Sequence, residues 1–171
     1  MKTRSKAIFP ILRLADPDHP TLRKFWSEHW GADFMVVRGR VFRPDDLEGF
    51  IAVDGAEWVG LVTFYFEASV CEIMSLDSLR PGLGIGTSLI KVVEEVARQT
   101  GCQTLRLVTT NDNTHALRFY QKLGFELVAL RRQAVNESRK IKPSISALGL
   151  DGIPIRDEIE LELRLAPPDP V

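Results

Sequence analysis

The chain has 171 residues, enough for one domain of ordinary size with a substantial buried core. Hydrophobic residues make up 44% and charged residues 26%, and no stretch approaches the roughly 20 apolar residues that a membrane-spanning helix needs, so no membrane partner is expected. A formal net charge of -1 supplies no general field to draw nucleic acid or an anionic membrane, and any partner has to be argued from a site.

The basic start, MKTRSKAIFPILRLADPDHP, contains only a short apolar stretch broken by Pro10 and no small-residue cleavage site, which reads as a cytoplasmic protein. Cys71 and Cys102 lie far apart without metal-ligand spacing. They read as buried free thiols, and neither a disulfide nor a metal site is expected.

In chain order, residues 7–14 read as a first strand. Asp16, Pro17 and Pro20 mark a turn into a helix carrying Leu22, Phe25, Trp26 and Trp30, which Gly31 ends. Between Asp33 and Phe42 the run FMVV and then RGRVF reads as extended or irregular chain, and Pro44, Asp45 and Asp46 open a helical turn or loop. The clearest hairpin pairs residues 50–53 with 58–66 across the turn Asp54-Gly55-Ala56-Glu57. Residues 70–76 add a third strand to this antiparallel meander.

After Gly82, Gly84 and Gly86, the apolar positions Leu89, Ile90, Val93 and Ala97 recur at helical spacing up to Gly101. Residues 104–109 form a strand, Asn113 opens a helix with Ala116, Tyr120 and Leu123 on one stripe, and Gly124 closes it. Residues 125–130 return as a strand. Residues 134–157 read as less regular, and 158–165 as a final strand whose alternation of acidic and apolar residues suits a half-exposed sheet edge. A single domain is expected over residues 1–166, with a disordered tail at 167–171.

The stretch CEIMSLDSLRPGLGIGTSLI runs a strand into a loop with glycine at every second position and then directly into an amphipathic helix. Glycines let the backbone approach a ligand, and the unpartnered N–H groups at a helix start favour phosphate. A tight turn packed against the sheet fits the same pattern. A dinucleotide fingerprint fails because Thr87 stands where the third glycine belongs, and a phosphate loop of the Lys-Ser/Thr kind fails because that pair is absent.

Two ordered motifs resemble the GNAT superfamily of N-acetyltransferases: the strand with its glycine loop, and Asn113-Thr-His-Ala116-Leu-Arg-Phe-Tyr120-Gln-Lys-Leu-Gly124-Phe125 one helix and one strand later. The resemblance covers about residues 50–130. It departs from the family at Pro81, which stands where a basic or amide residue is usual, with Arg80 one place earlier. The resemblance implies an α/β fold with a mixed, mostly antiparallel sheet of about seven strands, flanking helices and a central splay that holds acetyl-CoA. It also implies direct acetyl transfer to a primary amine, without a metal.

By resemblance, Met74 and Leu76 line the pantetheine slot, and Leu83, Gly84, Ile85, Gly86 and Thr87 offer backbone donors to the pyrophosphate. The Leu76 N–H polarises the thioester carbonyl, and Tyr120 is the general acid for the leaving thiolate. Core packing is the plainer reading of Tyr120, and helix capping the plainer reading of Asn113, whose amide the resemblance also brings to the cofactor. Glu72 is the candidate base, because period-2 geometry puts residues 72, 74 and 76 on one face where no bulge intervenes.

The acceptor is less legible. Arg38, Arg40, Arg139, Lys142 and Arg156 read either as binders of an acceptor carboxylate or phosphate or as ordinary surface charges. The segment 142–158 reads as a cap that favours a small-molecule amine. A homodimer through a sheet edge is compatible with the last strand. The rival function is a GNAT-like module that binds acyl-CoA as a sensor without turnover, and a Rossmann-type oxidoreductase stands behind it.

Overall fold

The computed structural model describes residues 9–166. Ala7, Ile8 and the tail expected to be disordered lie outside that range. The chain begins with a short strand β1 (Ile11–Arg13) and helix α1 (His19–Trp30), which buries Leu22, Phe25 and Trp26. Gly31 ends the helix at φ 74°, a left-handed position that glycine adopts without a Cβ clash. Where the sequence suggested extended or irregular chain, the structure has a small hairpin, β2 (Met35–Val37) and β3 (Arg40–Phe42). Its turn places Arg38 at φ 49° and Gly39 at φ 73°, and an arginine in a left-handed position hides the usual hairpin signature.

The meander β4 (Glu48–Asp54), β5 (Glu57–Glu67) and β6 (Val70–Ser78) forms as read, each strand somewhat longer than expected. Helix α2 (Ile85–Gln99) crosses to β7 (Thr104–Thr110), α3 (Thr114–Lys122) comes next, and β8 (Glu126–Arg131) precedes β9 (Glu158–Arg164). Between β8 and β9, where residues 134–157 read as less regular, the chain forms a further helix, α4 (Ala134–Ile141). Only Val135 and Ser138 are buried in it, too few to give a readable apolar stripe. Arg139 holds it in place by donating to the carbonyls of Ile145 and Ser146 at 3.2 and 2.7 Å.

The sheet has seven strands in the order β1-β4-β5-β6-β7-β9-β8, and every pair is antiparallel except β6–β7. One face packs on α2 and α3 through Phe64, Ile73, Leu89, Val93 and Tyr120. The other packs on α1 and the small hairpin through Trp26, Met35, Phe42 and Leu61. The final strand is not an edge. It lies between β7 and β8, and its acidic residues Glu158 and Glu160 are 4% and 7% exposed, Glu160 beneath Arg38, Arg106 and Arg131 and Glu158 accepting the Arg38 N–H at 3.4 Å. Alternation of acid and apolar residues cannot distinguish water from a layer of guanidinium groups.

Candidate active site

The parallel ladder between β6 and β7 runs from the Val70–Thr104 pair to the Ile73–Leu107 pair and stops. Beyond it β6 stays with β5 and β7 stays with β9, so the two strands part in the middle of the sheet. The cause is local. Thr63 pairs with Ser75 and Phe64 with Ile73, which leaves Met74 as an extra residue. Such a bulge bends and twists the strand that carries it.

The same bulge changes which way the later residues face. Glu72 meets Tyr65 and Arg38, and Met74 packs into the α1 cluster, whereas Leu76 packs into the α2–α3 cluster. The expectation that 72, 74 and 76 share a face therefore holds for the first two only. Leu76 instead lies near Gly86, where an added Cβ would meet its Cδ2 at 3.7 Å and Phe119 Cζ at 3.3 Å. Gly86 thus permits the close approach of α2, α3 and the free end of β6.

Directly after β6, Gly82 and Gly84 adopt φ 79° and 76°, and Gly84 is the N-cap of α2 without a side-chain cap. Ser88 N–H donates to Gly84 O at 3.0 Å, so the N–H groups of Ile85, Gly86 and Thr87 have no acceptor within the helix. Open donors and the helix dipole make this end attractive to a phosphate. Arg80 is turned away and donates to Asp54 and Glu57 at 2.5 and 2.9 Å. The cradle is built of backbone.

Tyr120, on α3, is 7% exposed, with its ring in edge contact with Phe119 and Phe125 at centroid distances of 5.1 and 5.4 Å. Burial pushes its hydroxyl above the usual phenol range, and the negative charge of Asp77 adds to the shift. It therefore keeps its proton at neutral pH. Asn113 caps α3 by accepting from Ala116 N–H at 3.2 Å. A hollow of about 500 Å³ along α3 is lined by Thr114, Leu117, Arg118, Gln121 and Lys122.

On the opposite face Glu72 is 1% exposed, and its Oε2 accepts from Arg38 and, at 3.1 Å, from Tyr65 Oη. Arg38 also reaches Glu160 at 3.4 Å, and Arg106 and Arg131 approach Glu160 at 3.6 and 2.7 Å. The cations read as acceptor binders are each engaged. Besides Arg38, Arg40 pairs with Glu67, Lys142 donates to Phe34 O, Arg156 pairs with Asp157, and Arg139 binds carbonyls.

Sequence reasoning missed Asp77. It sits on the free stretch of β6, half-buried, and its Oδ2 is buried without a hydrogen-bond partner. Burial raises its carboxyl to about 6, against the pull of the Trp30 indole and the His29 ring. An aspartate shortly before a glycine-rich loop reads as loop chemistry, so only the burial reveals it. Among the described residues no group of His, Cys, Asp and Glu is arranged to hold a metal ion, and no helix is long and apolar enough to cross a membrane.

A sheet opened at its one parallel pair, with an uncapped helix end beside the gap, defines an acyltransferase of the acetyl-CoA type. The family model for the acetyltransferase (GNAT) family matches residues 9–125. Among curated relatives, YdhI of Bacillus subtilis is 44% identical over 139 residues, 81% of this chain and 87% of that protein. A Bacillus subtilis acetyltransferase solved in complex with CoA superposes with a TM-score of 0.67 at 20% identity, covering 93% of this chain and 100% of its own. A GNAT family acetyltransferase from Elizabethkingia anophelis with acetyl-CoA bound gives 0.62 at 26% identity, covering 71% and 78%. The chain belongs to the GNAT acetyltransferase family and is an acyltransferase whose co-substrate is acetyl-CoA.

Proposed function

We propose that the protein transfers the acetyl group of acetyl-CoA directly to the primary amine of a small molecule. The observation that carries this reading is the coincidence of the free ends of β6 and β7, the open N-terminus of α2 and the buried Tyr120 at one place. The pantetheine arm enters between the parted strands along Met74 and Leu76. The N–H groups of residues 83–87 take the pyrophosphate, Asn113 borders the arm, and Arg118 and Lys122 offer positive charge to the remaining phosphate.

The Leu76 N–H polarises the thioester carbonyl as negative charge develops on its oxygen, and Tyr120 gives its proton to the leaving sulfur. Glu72 acts at one remove by holding Arg38 against the sheet. The small-molecule preference rests on the segment after α4. Lys142 donates to Phe34 O at 3.1 Å, and Ser144 Oγ would lie 3.6 Å from a Cβ at Gly31. Further on, Asn111 accepts from the N–H groups of Arg156 and Asp157, both at 3.0 Å. The segment thus reaches from the α1 side to the end of β7 and leaves little room for a protein tail.

Calorimetric titration with acetyl-CoA and CoA, followed by thiol-release screening against amino acids, polyamines, aminoglycosides and peptides, tests the proposal. Binding with turnover on a small amine supports it. Binding without turnover moves the protein to the class of acyl-CoA sensors, and turnover on peptides alone removes the small-molecule reading.

A further inference from the structure

The acceptor amine is an ammonium at neutral pH and has to lose a proton before its lone pair can attack, so transfer needs a base beside the thioester. Glu72 is poorly placed for that role. It is 1% exposed beneath Arg38, and an acceptor would have to displace the guanidinium to reach it. Asp77 differs on each count. It lies past the bulge and past the end of the β6–β7 ladder, adjacent in sequence to Leu76, and it takes part in no ion pair among the described residues. Its Oδ2 is buried and unpartnered.

The groups that face it are Trp30 and His29 from α1, its register partner on β5 is the apolar Leu61, and its charge is felt at the Tyr120 hydroxyl on α3. A carboxylate that makes no ion pair and keeps one oxygen buried and unpartnered is an incomplete pair, and a cationic ligand would complete it.

We propose that Asp77 receives the acceptor's ammonium group at the mouth of the splay and takes its proton. This rests on the acetyl-transfer reading and supplies the base that the reading leaves open. The ammonium gives one proton to the Asp77 carboxylate, which later passes it to solvent. The freed lone pair forms the N–C bond at the thioester carbon, and the C–S bond then breaks with its electrons on sulfur. Tyr120 protonates the thiolate, and the second proton shed by nitrogen restores the phenol. A carboxyl near 6 is ionised at neutral pH yet basic enough to take a proton in passing.

The test compares wild type, Asp77→Asn and Asp77→Glu in thiol release from acetyl-CoA. The nucleophiles are n-propylamine, spermidine and a lysyl peptide, all cationic at neutral pH, and hydroxylamine, which is largely neutral there. Acetyl-CoA affinity is measured by calorimetry on the same preparations.

With the cationic amine that the wild type uses fastest, Asp77→Asn is expected to lose about 100-fold or more in kcat/KM. It should also lose the rise of rate with pH centred near 6, while acetyl-CoA affinity and the hydroxylamine rate stay within a few-fold. Asp77→Glu should keep part of the activity and the rise, which guards against a folding defect in the first variant. An Asp77→Asn rate within three-fold of wild type, or an unchanged pH profile, would overturn the proposal. Equal losses with hydroxylamine would show a merely structural residue and overturn it too. Wild-type protein that binds acetyl-CoA but transfers to none of the nucleophiles overturns the acetyl-transfer reading itself and the inference with it.

Discussion

Tyr120 combines a proton that is hard to lose with a position at the helix face that meets the free end of β6, and burial is the cause of both. Tyr120→Phe is expected to lower kcat by about 100-fold while leaving the calorimetric affinity for acetyl-CoA within a few-fold, because the ring contacts with Phe119 and Phe125 survive. Asp77 allows a stability test. Its folded value of about 6 lies above the ordinary 3.8, so the unfolded chain releases the proton first as pH rises. Stability contributed by the protonated form is therefore present below the lower value and lost between the two. Urea unfolding near pH 4 and near pH 7 should show the wild type losing on the order of 2 kcal/mol more than Asp77→Asn across that window. Tyr120 was legible in the sequence because a motif surrounds it. Asp77 was not, because its environment comes from α1 and α3, distant in the chain.

At the scale of elements, two short irregularities position the site. The bulge at Met74 opens the sheet and reverses the facing of the residues after it, and the β2–β3 turn delivers Arg38 onto Glu72 and Glu160. Arg38→Ala would leave the buried Glu72 without its cation, while Glu160 keeps Arg106 and Arg131, and should destabilise the fold by about 3 kcal/mol in chemical denaturation. Glu72→Gln in the same background should recover part of that loss in a double-mutant cycle. At the start of α2, Gly84→Ala forces a Cβ into φ 76° and should cost about 1 kcal/mol of folding stability. It should also weaken acetyl-CoA binding about ten-fold, seen by calorimetry, because the donors of residues 85–87 are aimed by that residue. The α2 cradle could be read from glycine spacing. The hairpin could not, since an arginine holds its left-handed position through tertiary contacts rather than local preference.

For the whole molecule, the parted strands leave the middle of the sheet supported from outside only, by β5 on one side and β9 on the other. A ligand that fills the gap adds contacts that the unfolded chain cannot make. Acetyl-CoA at about 100 times its dissociation constant should stabilise the native state by about 2.7 kcal/mol. Hydrogen exchange should slow most at residues 74–78 and 108–110, and uniform slowing across the sheet would argue against binding in the splay. At one edge of the sheet β8 exposes Leu127, Val128 and Leu130, whereas β9 is an interior strand and offers no free edge.

The strand and helix order from β4 to β8 was legible in the amino acids alone, because alternation, helical spacing and glycine or asparagine at the ends are local signals written in neighbouring residues. The sequence also marked the cradle, carried by β6, its glycine loop and α2, and Tyr120, carried on α3 one strand later. The tertiary fold alone set the placement of β9 inside the sheet, the burial of its acidic face beside arginines and the burial of an unpartnered Asp77 oxygen. The reason is common to all three: burial and charge pairing depend on groups brought together from distant parts of the chain, and a single inserted residue at Met74 changes which groups those are.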